Sequence, residues 1–335
     1  MGPKARIGVA RGPLARAGRL SLLVAASAAL LSGGGFTSRE VTVGVDPWKL
    51  GGTLLLPQGQ PPWAAVVLVH GPGPNDRDET VHATHIFRDL AEGLASRGIA
   101  VLRYDKRTKV HGEKMSEMEF TTEQETVADV LSALALLRST PGIAGTKVFL
   151  IAHSLGGYLA PRIAARDPKI RGIVFLAANA RPVEDMALEQ NIYVANLRGD
   201  PSAEAKARLD SLRAEVQKVK KLAAGTANPP IVMGLPSAWL LDLKGYDAPA
   251  AAKRLAVPML FLQGERDFQV TMTDFRLWSD GLRGSSAASF HSYPRLNHLF
   301  IAGPNKSIPA EYRLGGNFEA EVTADIATWI QKIAP

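Results

Sequence analysis

Five continuous apolar runs, separated by stretches of helical periodicity, constrain this chain more than any other feature. They are "AAVVLVH" (64–70), "IAVLRYD" (99–105), "KVFLIAH" (147–153), "IRGIVFLAA" (170–178) and "VPMLFLQG" (257–264). Runs without polar alternation suit strands covered on both faces, as in a parallel sheet. Helical patterns lie between them at 85–98, 122–139 and 155–167. Strand and helix in alternation predict βαβ units, hence an α/β fold with a mostly parallel, doubly wound sheet and helices on both faces. Two shorter alternating segments, "REVTVGV" and "GGTLLLP", come first and predict a hairpin of edge strands.

The alternation lapses between residues 181 and 249, where no strand pattern occurs. "PSAEAKARLDSLRAEVQKVKKLAAG" (201–225) is charged and helical, and prolines interrupt the chain beyond it. This predicts a helical cap inserted before the strand at 257–264, within a core of residues 36–180 and 250–335. Ordinary crossover helices are the alternative, but roughly seventy residues exceed what one crossover needs.

The formal charge is +7, yet five of the 39 basic residues fall in residues 1–35, where no acid occurs. The remainder is nearly balanced, which gives no electrostatic case for nucleic-acid binding. The same 35 residues join a basic segment to the apolar run "LSLLVAASAALL" and the small residues "SGGG". That layout predicts a secretory signal peptide and export to the periplasm or beyond. A mis-set start or a tail on a cytoplasmic protein is the alternative. The run is too short to span a membrane comfortably. The absence of cysteine excludes disulfides, zinc–thiolate sites and a cysteine nucleophile.

"IAHSLGG" carries the strongest local chemical signal. A buried strand ends at His153, Ser154 follows, and Gly156-Gly157 open a helix. A sharp strand-to-helix turn of this kind presents a serine hydroxyl above the sheet. Ala152 stands where the consensus wants glycine, and it is the smallest replacement. A serine hydroxyl needs a base, and the base needs a group to orient it. Downstream histidines are His291, inside the predicted strand "ASFHSYP", and His298, in the loop before the predicted closing helix "FEAEVTADIATWIQKI". His298 is the expected base. Asp267, in "LQGERDFQV" just past the end of a buried strand, is the expected acid. Glu265 is its neighbour, and Asp242 and Asp247 fall in the cap. His153 reads as a wall of the substrate pocket. Trp239 and its neighbours Leu240 and Leu241 read either as acyl pocket or as the cap's own core.

These residues resemble those of bacterial serine carboxylesterases of the α/β-hydrolase superfamily, near its dienelactone-hydrolase and peptidase-like branches. The resemblance rests on "GTLLLP", "LVHGPGPNDRDE", "FRDLAEGLASRGIAVLRYDKRT", "IAHSLGG", "QGERDFQVTMTDFRLW" and "YPRLNHLF" in that order. It implies an α/β-hydrolase fold and hydrolysis of a small-molecule ester through an acyl enzyme at Ser154, with Asp267 and His298. It also implies that no metal or organic cofactor takes part. A peptidase of the same fold, an acyltransferase or thioesterase, and a non-catalytic binding protein are the alternatives. Asp76, Arg77 and Asp78 of "NDRDE" and Arg103, Asp105 and Arg107 of "RYDKRT" are expected to fix neighbouring loops by ion pairs and Asx turns, with shaping the rim of the site as the alternative.

The stretch "HGPGPND" then falls in the loop that should supply an oxyanion donor beside the N–H of Leu155. Pro72 has no N–H to give. Gly71, Gly73 and Asn75 remain, and Gly73, between two prolines, is the expected donor.

Overall fold

The computed structural model describes residues 31–32, 35–197, 202–223, 231 and 233–335. Its strands are β1 (Phe36–Val43), β2 (Leu50–Pro57), β3 (Trp63–Val69), β4 (Ile99–Tyr104), β5 (Ile143–His153), β6 (Ile173–Leu176), β7 (Met259–Gly264) and β8 (Ala288–Tyr293). They lie in the order β1-β2-β4-β3-β5-β6-β7-β8, and Leu31–Ser32 pairs outside β1. The β1–β2 and β2–β4 pairs are antiparallel, and every pair from β4 to β8 is parallel.

The amino-terminal hairpin forms, but β2 is not an edge strand. Leu54 pairs with Arg39 of β1 on one side and with Leu102 of β4 on the other. The reason lies in "GTLLLP", which is apolar enough to be covered along most of its length. Within the hairpin, β1 alone keeps the half-exposed character of an edge.

The main helices are α1 (Ile86–Ala95), α2 (Ala128–Ser139), α3 (Leu155–Arg166), α4 (Val183–Asn196), α5 (Ala203–Lys221), α6 (Ser237–Leu243), α7 (Ala248–Lys253), α8 (Met272–Gly281) and α9 (Ala320–Ile333). Alternate strand residues feed two apolar layers, because successive side chains leave a strand on opposite faces. Val67, Val69, Leu150 and Phe175 pack with α2, α3 and Trp278 of α8. Val66, Leu68, Phe149 and Val174 pack with α1 and α9 on the other face. Each fully buried Leu, Val or Phe of these layers contributes about 1.5–3 kcal/mol relative to exposure.

The single helix expected over 122–139 is divided. Glu123–Val127 is a π-helical turn, and α2 begins at Ala128. Between β6 and β7 the described residues form α4 to α7 and contain no strand. Part of the proline-interrupted stretch, 224–230, lies outside the described residues, as does nearly all of the leader expectation at 1–35. Among the described residues no helix is long and apolar enough to cross a membrane.

The loops after β3, β5, β7 and β8 all emerge at one edge of the sheet, the carboxyl ends of parallel strands. In open α/β sheets ligands bind at that edge.

Candidate active site

Ser154 joins β5 to α3 with φ 54° and ψ −122°, a left-handed conformation that costs a residue with a Cβ about 1–3 kcal/mol. The turn is held from both sides. Ser154 N–H donates to Leu176 O at 2.9 Å, and Tyr158 N–H donates to Ser154 O at 3.2 Å. Helix and sheet then pass so closely that a Cβ on Gly156 would lie 2.6 Å from the carbonyl oxygens of both Val69 and His70. Ala152 is buried and paired in register with Val69 and Phe175, so the missing elbow glycine leaves the turn intact.

His298 and Asp267 meet directly. His298 Nδ1 lies 2.6 Å from Asp267 Oδ2. The same oxygen accepts from Gln263 Nε2 at 3.2 Å, and Oδ1 accepts the backbone N–H groups of Gln269 (2.7 Å) and Val270 (3.0 Å). Four donors on two oxygens, at a side chain with no exposed surface, suit a carboxylate. The loop bearing His298 sits against the end of β7, where a Cβ on Gly264 would strike Leu296 O at 2.4 Å. Asn297 Oδ1 closes this loop by accepting Leu299 and Ile301 N–H.

Ser154 and His298 face the same cavity, but no protein hydrogen bond joins the hydroxyl to the imidazole. Such bonds are commonly loose in free enzymes and tighten with substrate. The other candidates are elsewhere. His291 is exposed on β8, Glu265 accepts from Ser292 at the surface, Asp242 pairs with Arg162, and Asp247 caps α7.

A second carboxylate–histidine pair lies beside the first. His153 Nδ1 is 3.1 Å from Glu79 Oε2, and His153 Nε2 is 3.1 Å from the backbone oxygen of His298. The carbonyl oxygen of His298 can only accept, and an ionised Glu79 also accepts, so the two contacts favour a ring protonated at both nitrogens. Burial opposes charge on either partner. The Glu79 carboxylate nevertheless raises His153 above 6.5, and the His153 charge with the Gly71 N–H holds Glu79 below 4.5. His70, on the other side of Glu79, has one acceptor, Asp76 O at 3.0 Å. Burial, abetted by Lys106 and only partly offset by Glu79, pushes it down to about 4.

The proline-rich loop is fixed along its length. Gly71 N–H donates to Glu79 Oε1 at 2.6 Å, and Gly71 O accepts from Lys106 Nζ at 2.9 Å and Asn75 Nδ2 at 3.2 Å. Asn75 Nδ2 also reaches Pro72 O. Thr108 Oγ1 and Asn75 N–H donate to Gly73 O. Of the three remaining loop donors, Gly71 and Asn75 are therefore committed, and Gly73 N–H has no protein acceptor among the described residues. The flanking charges behave as ion pairs and turns. Arg77 pairs with Asp105 and Glu40, Arg103 with Asp78, and Asp76 accepts from Asp78 and Thr80 N–H.

The cavity has a volume of about 440 Å³. Its apolar wall comes from Val183 and Met186 of α4, Met233, Leu235, and Trp239 and Leu240 of α6. Leu241 is not part of it. Trp239 also donates through Nε1 to Glu125 Oε2 at 2.5 Å, and Glu125 Oε1 pairs with Lys106 at 2.7 Å. A polar wall stands beyond Asp267, where Gln190 Nε2 donates to Gln269 O and Gln269 Nε2 to the Tyr312 hydroxyl.

Residues 60–305 match the model of a hydrolase family described as serine aminopeptidase, S33. The chain belongs to this family. It is 38% identical over 299 residues to esterase EstD of Thermotoga maritima, a match spanning 89% of this chain and 68% of that protein. Solved structures with the same fold include Est1E from Butyrivibrio proteoclasticus (TM-score 0.56, 16% identity, 88% of this chain and 98% of that one). The dienelactone hydrolase from Anabaena variabilis matches with a TM-score of 0.51 at 17% identity, covering 89% of this chain and 98% of that one. The chain is thus an α/β-hydrolase whose kinship is with esterases.

Three residues at the site were not foreseen: Glu79, Lys106 and Glu125. Each sits in a segment rich in polar residues, Glu79 and Lys106 in loops and Glu125 on a π-helical turn. No local signal in the sequence separates Glu79 from Asp76 and Asp78 three and one positions earlier.

Proposed function

We propose that the protein hydrolyses carboxylic esters through an acyl enzyme at Ser154. The observation that carries this reading is the His298–Asp267 pair, whose uncommitted Nε2 belongs to the cavity that Ser154 lines from its strained turn. Ser154 Oγ attacks the carbonyl carbon as His298 Nε2 takes its proton, and Asp267 holds the imidazolium that results. The negative oxygen of the tetrahedral adduct is met by the N–H groups of Leu155 and Gly73. His298 then returns the proton to the departing alkoxide. Water, deprotonated by the same nitrogen, releases the acid from Ser154.

Apolar residues from α4 and α6 suit a small or medium aliphatic acyl group. The family description favours a second reading, aminopeptidase action. A substrate with a charged amino terminus needs a free carboxylate, and the cap's candidates are engaged: Asp185 with Lys220 and Glu189 with Arg181. Glu184 is not among the lining residues, and the cavity's own acids, Glu79 and Glu125, have both oxygens bonded. Esters are the better fit. Turnover of p-nitrophenyl acetate and butyrate, beside an aminoacyl-anilide panel, tests both readings. Undiminished ester turnover by Ser154→Ala would sink the assignment, and preferred anilide cleavage would reverse the ranking.

A further inference from the structure

We propose that Glu79 and His153 are positioning residues, a second carboxylate–imidazolium pair that fixes the base loop and the oxyanion loop relative to Ser154. This rests on the assignment of Ser154 as nucleophile and His298 as base. Each of the pair's three hydrogen bonds has a definite job. Glu79 Oε1 takes the N–H of Gly71, and Glu79 Oε2 takes His153 Nδ1–H. His153 Nε2–H holds the carbonyl oxygen of His298 itself, while His153 is the residue immediately before Ser154. One buried pair thereby ties together the three chain segments that carry nucleophile, base and oxyanion donor.

Three further observations support the assignment. Glu79 adopts φ 47°, a left-handed conformation that a residue with a Cβ keeps only when its surroundings demand it. The His153 and His298 rings lie 4.7 Å apart, so a lone cation on His153 would oppose formation of the His298 imidazolium. The Glu79 charge cancels it locally. Finally, the commitment of Gly71 N–H to Glu79 leaves Gly73 as the loop's remaining donor.

The charged groups facing His153 are Glu79, the His298 ring and Asp267. Those facing Glu79 are His153 and His70, with the Gly71 N–H. When His153 loses its proton at alkaline pH, one ring nitrogen can no longer donate, and the link to Glu79 or to His298 is broken. In Glu79→Gln the side-chain oxygen can still accept from Gly71, and its amide can donate to Nδ1 of a neutral His153. Nε2–H then still holds His298 at every pH where the fold persists.

The test compares Glu79→Ala, Glu79→Gln and His153→Phe with the unmodified protein on p-nitrophenyl butyrate across pH, with fluorophosphonate labelling of Ser154 alongside. Misplacement of a reacting group by about 1 Å costs on the order of 100-fold, so Glu79→Ala and His153→Phe should lose about 10- to 100-fold in kcat, with labelling slowed in parallel and KM within about twofold. Glu79→Gln should recover most of kcat at neutral pH and lack the alkaline decline of the unmodified enzyme. Wild-type kcat in Glu79→Ala, or a Gln variant no better than the Ala variant and with the same alkaline limb, would overturn the proposal. Should Glu79→Ala not fold, the pH profile of Glu79→Gln decides alone. An active Ser154→Ala would refute the reading of the site instead, and an inactive one with an unimpaired Glu79→Ala would refute only the pair.

Discussion

Two histidines contact each other across this site, and each is bonded to a buried carboxylate, yet they can do opposite things. His298 gives one nitrogen to Asp267 and keeps the other for the cavity. His153 gives one nitrogen to Glu79 and the other to a backbone carbonyl. The first ring can accept a proton and pass it on. The second has both nitrogens engaged and cannot release a proton without breaking a bond. On the proposed reading, what separates the base from the strut is the number of ring nitrogens already committed. Burial, similar for both, does not decide it. His70 completes the series: just as buried, with a single carbonyl partner, it stays neutral.

The largest test of this contrast is to remove the open ring. Ser154→Ala and His298→Ala should each lower kcat by about 10⁴-fold or more, and Asp267→Asn by about 10³- to 10⁴-fold, measured on p-nitrophenyl esters. A His153 variant as severe as His298→Ala would erase the distinction. Next comes stability. Removing one partner of a buried ion pair costs about 3–5 kcal/mol, so Glu79→Ala should show a clearly lower urea midpoint, while Glu79→Gln, which can keep every bond, should lose much less.

The pH dependence of stability sharpens the comparison further. His153 is raised above 6.5 in the folded protein, so its contribution is complete below that value and fades as pH climbs through the raised one. Glu79 is held below 4.5, so its contribution is complete above that value and fades as pH falls through the lowered one. The pair therefore stabilises most between about pH 4.5 and 6.5. His70, lowered to about 4, acts in the acid direction only, its contribution present above 6.5 and lost as pH falls towards 4. Melting temperature against pH should lose its alkaline slope from the pair in Glu79→Gln and keep it in His70→Phe. The smallest effect belongs to His70→Phe itself, one neutral hydrogen bond of about 1 kcal/mol, with ester turnover nearly unchanged.

Much of the molecule is readable from the chain. Continuous apolar runs reveal the parallel strands because a strand buried on both faces has no polar alternation. Ser154 and Asp267 can be singled out because each lies at or just beyond the end of such a run, and His298 because it follows the last strand in the loop before the closing helix. Glu79 cannot, since its burial is imposed by His153, 74 positions away, and by a turn whose left-handed φ no residue type announces. Lys106 and Glu125 are hidden for the same reason. The π-helical turn at Glu123–Val127 escapes because its apolar spacing also fits an α-helix. The central position of β2 is missed because a short segment with two glycines reads as an edge.

The roof of the cavity arises from one uninterrupted piece of chain. Val183, Met186, Met233, Leu235, Trp239 and Leu240 all lie between β6 and β7, whereas Ser154, Asp267, His298 and Gly73 come from loops outside it. On the proposed reading, much of the apolar wall and the reacting groups come from different portions of the chain, although Val81, Leu155, Val270 and Leu299 also line the cavity from outside that piece. On that reading, exchange of the piece between relatives is expected to change the acyl preference and leave Ser154, Asp267 and His298 in place, with the Trp239–Glu125 hydrogen bond as the seam a graft must restore.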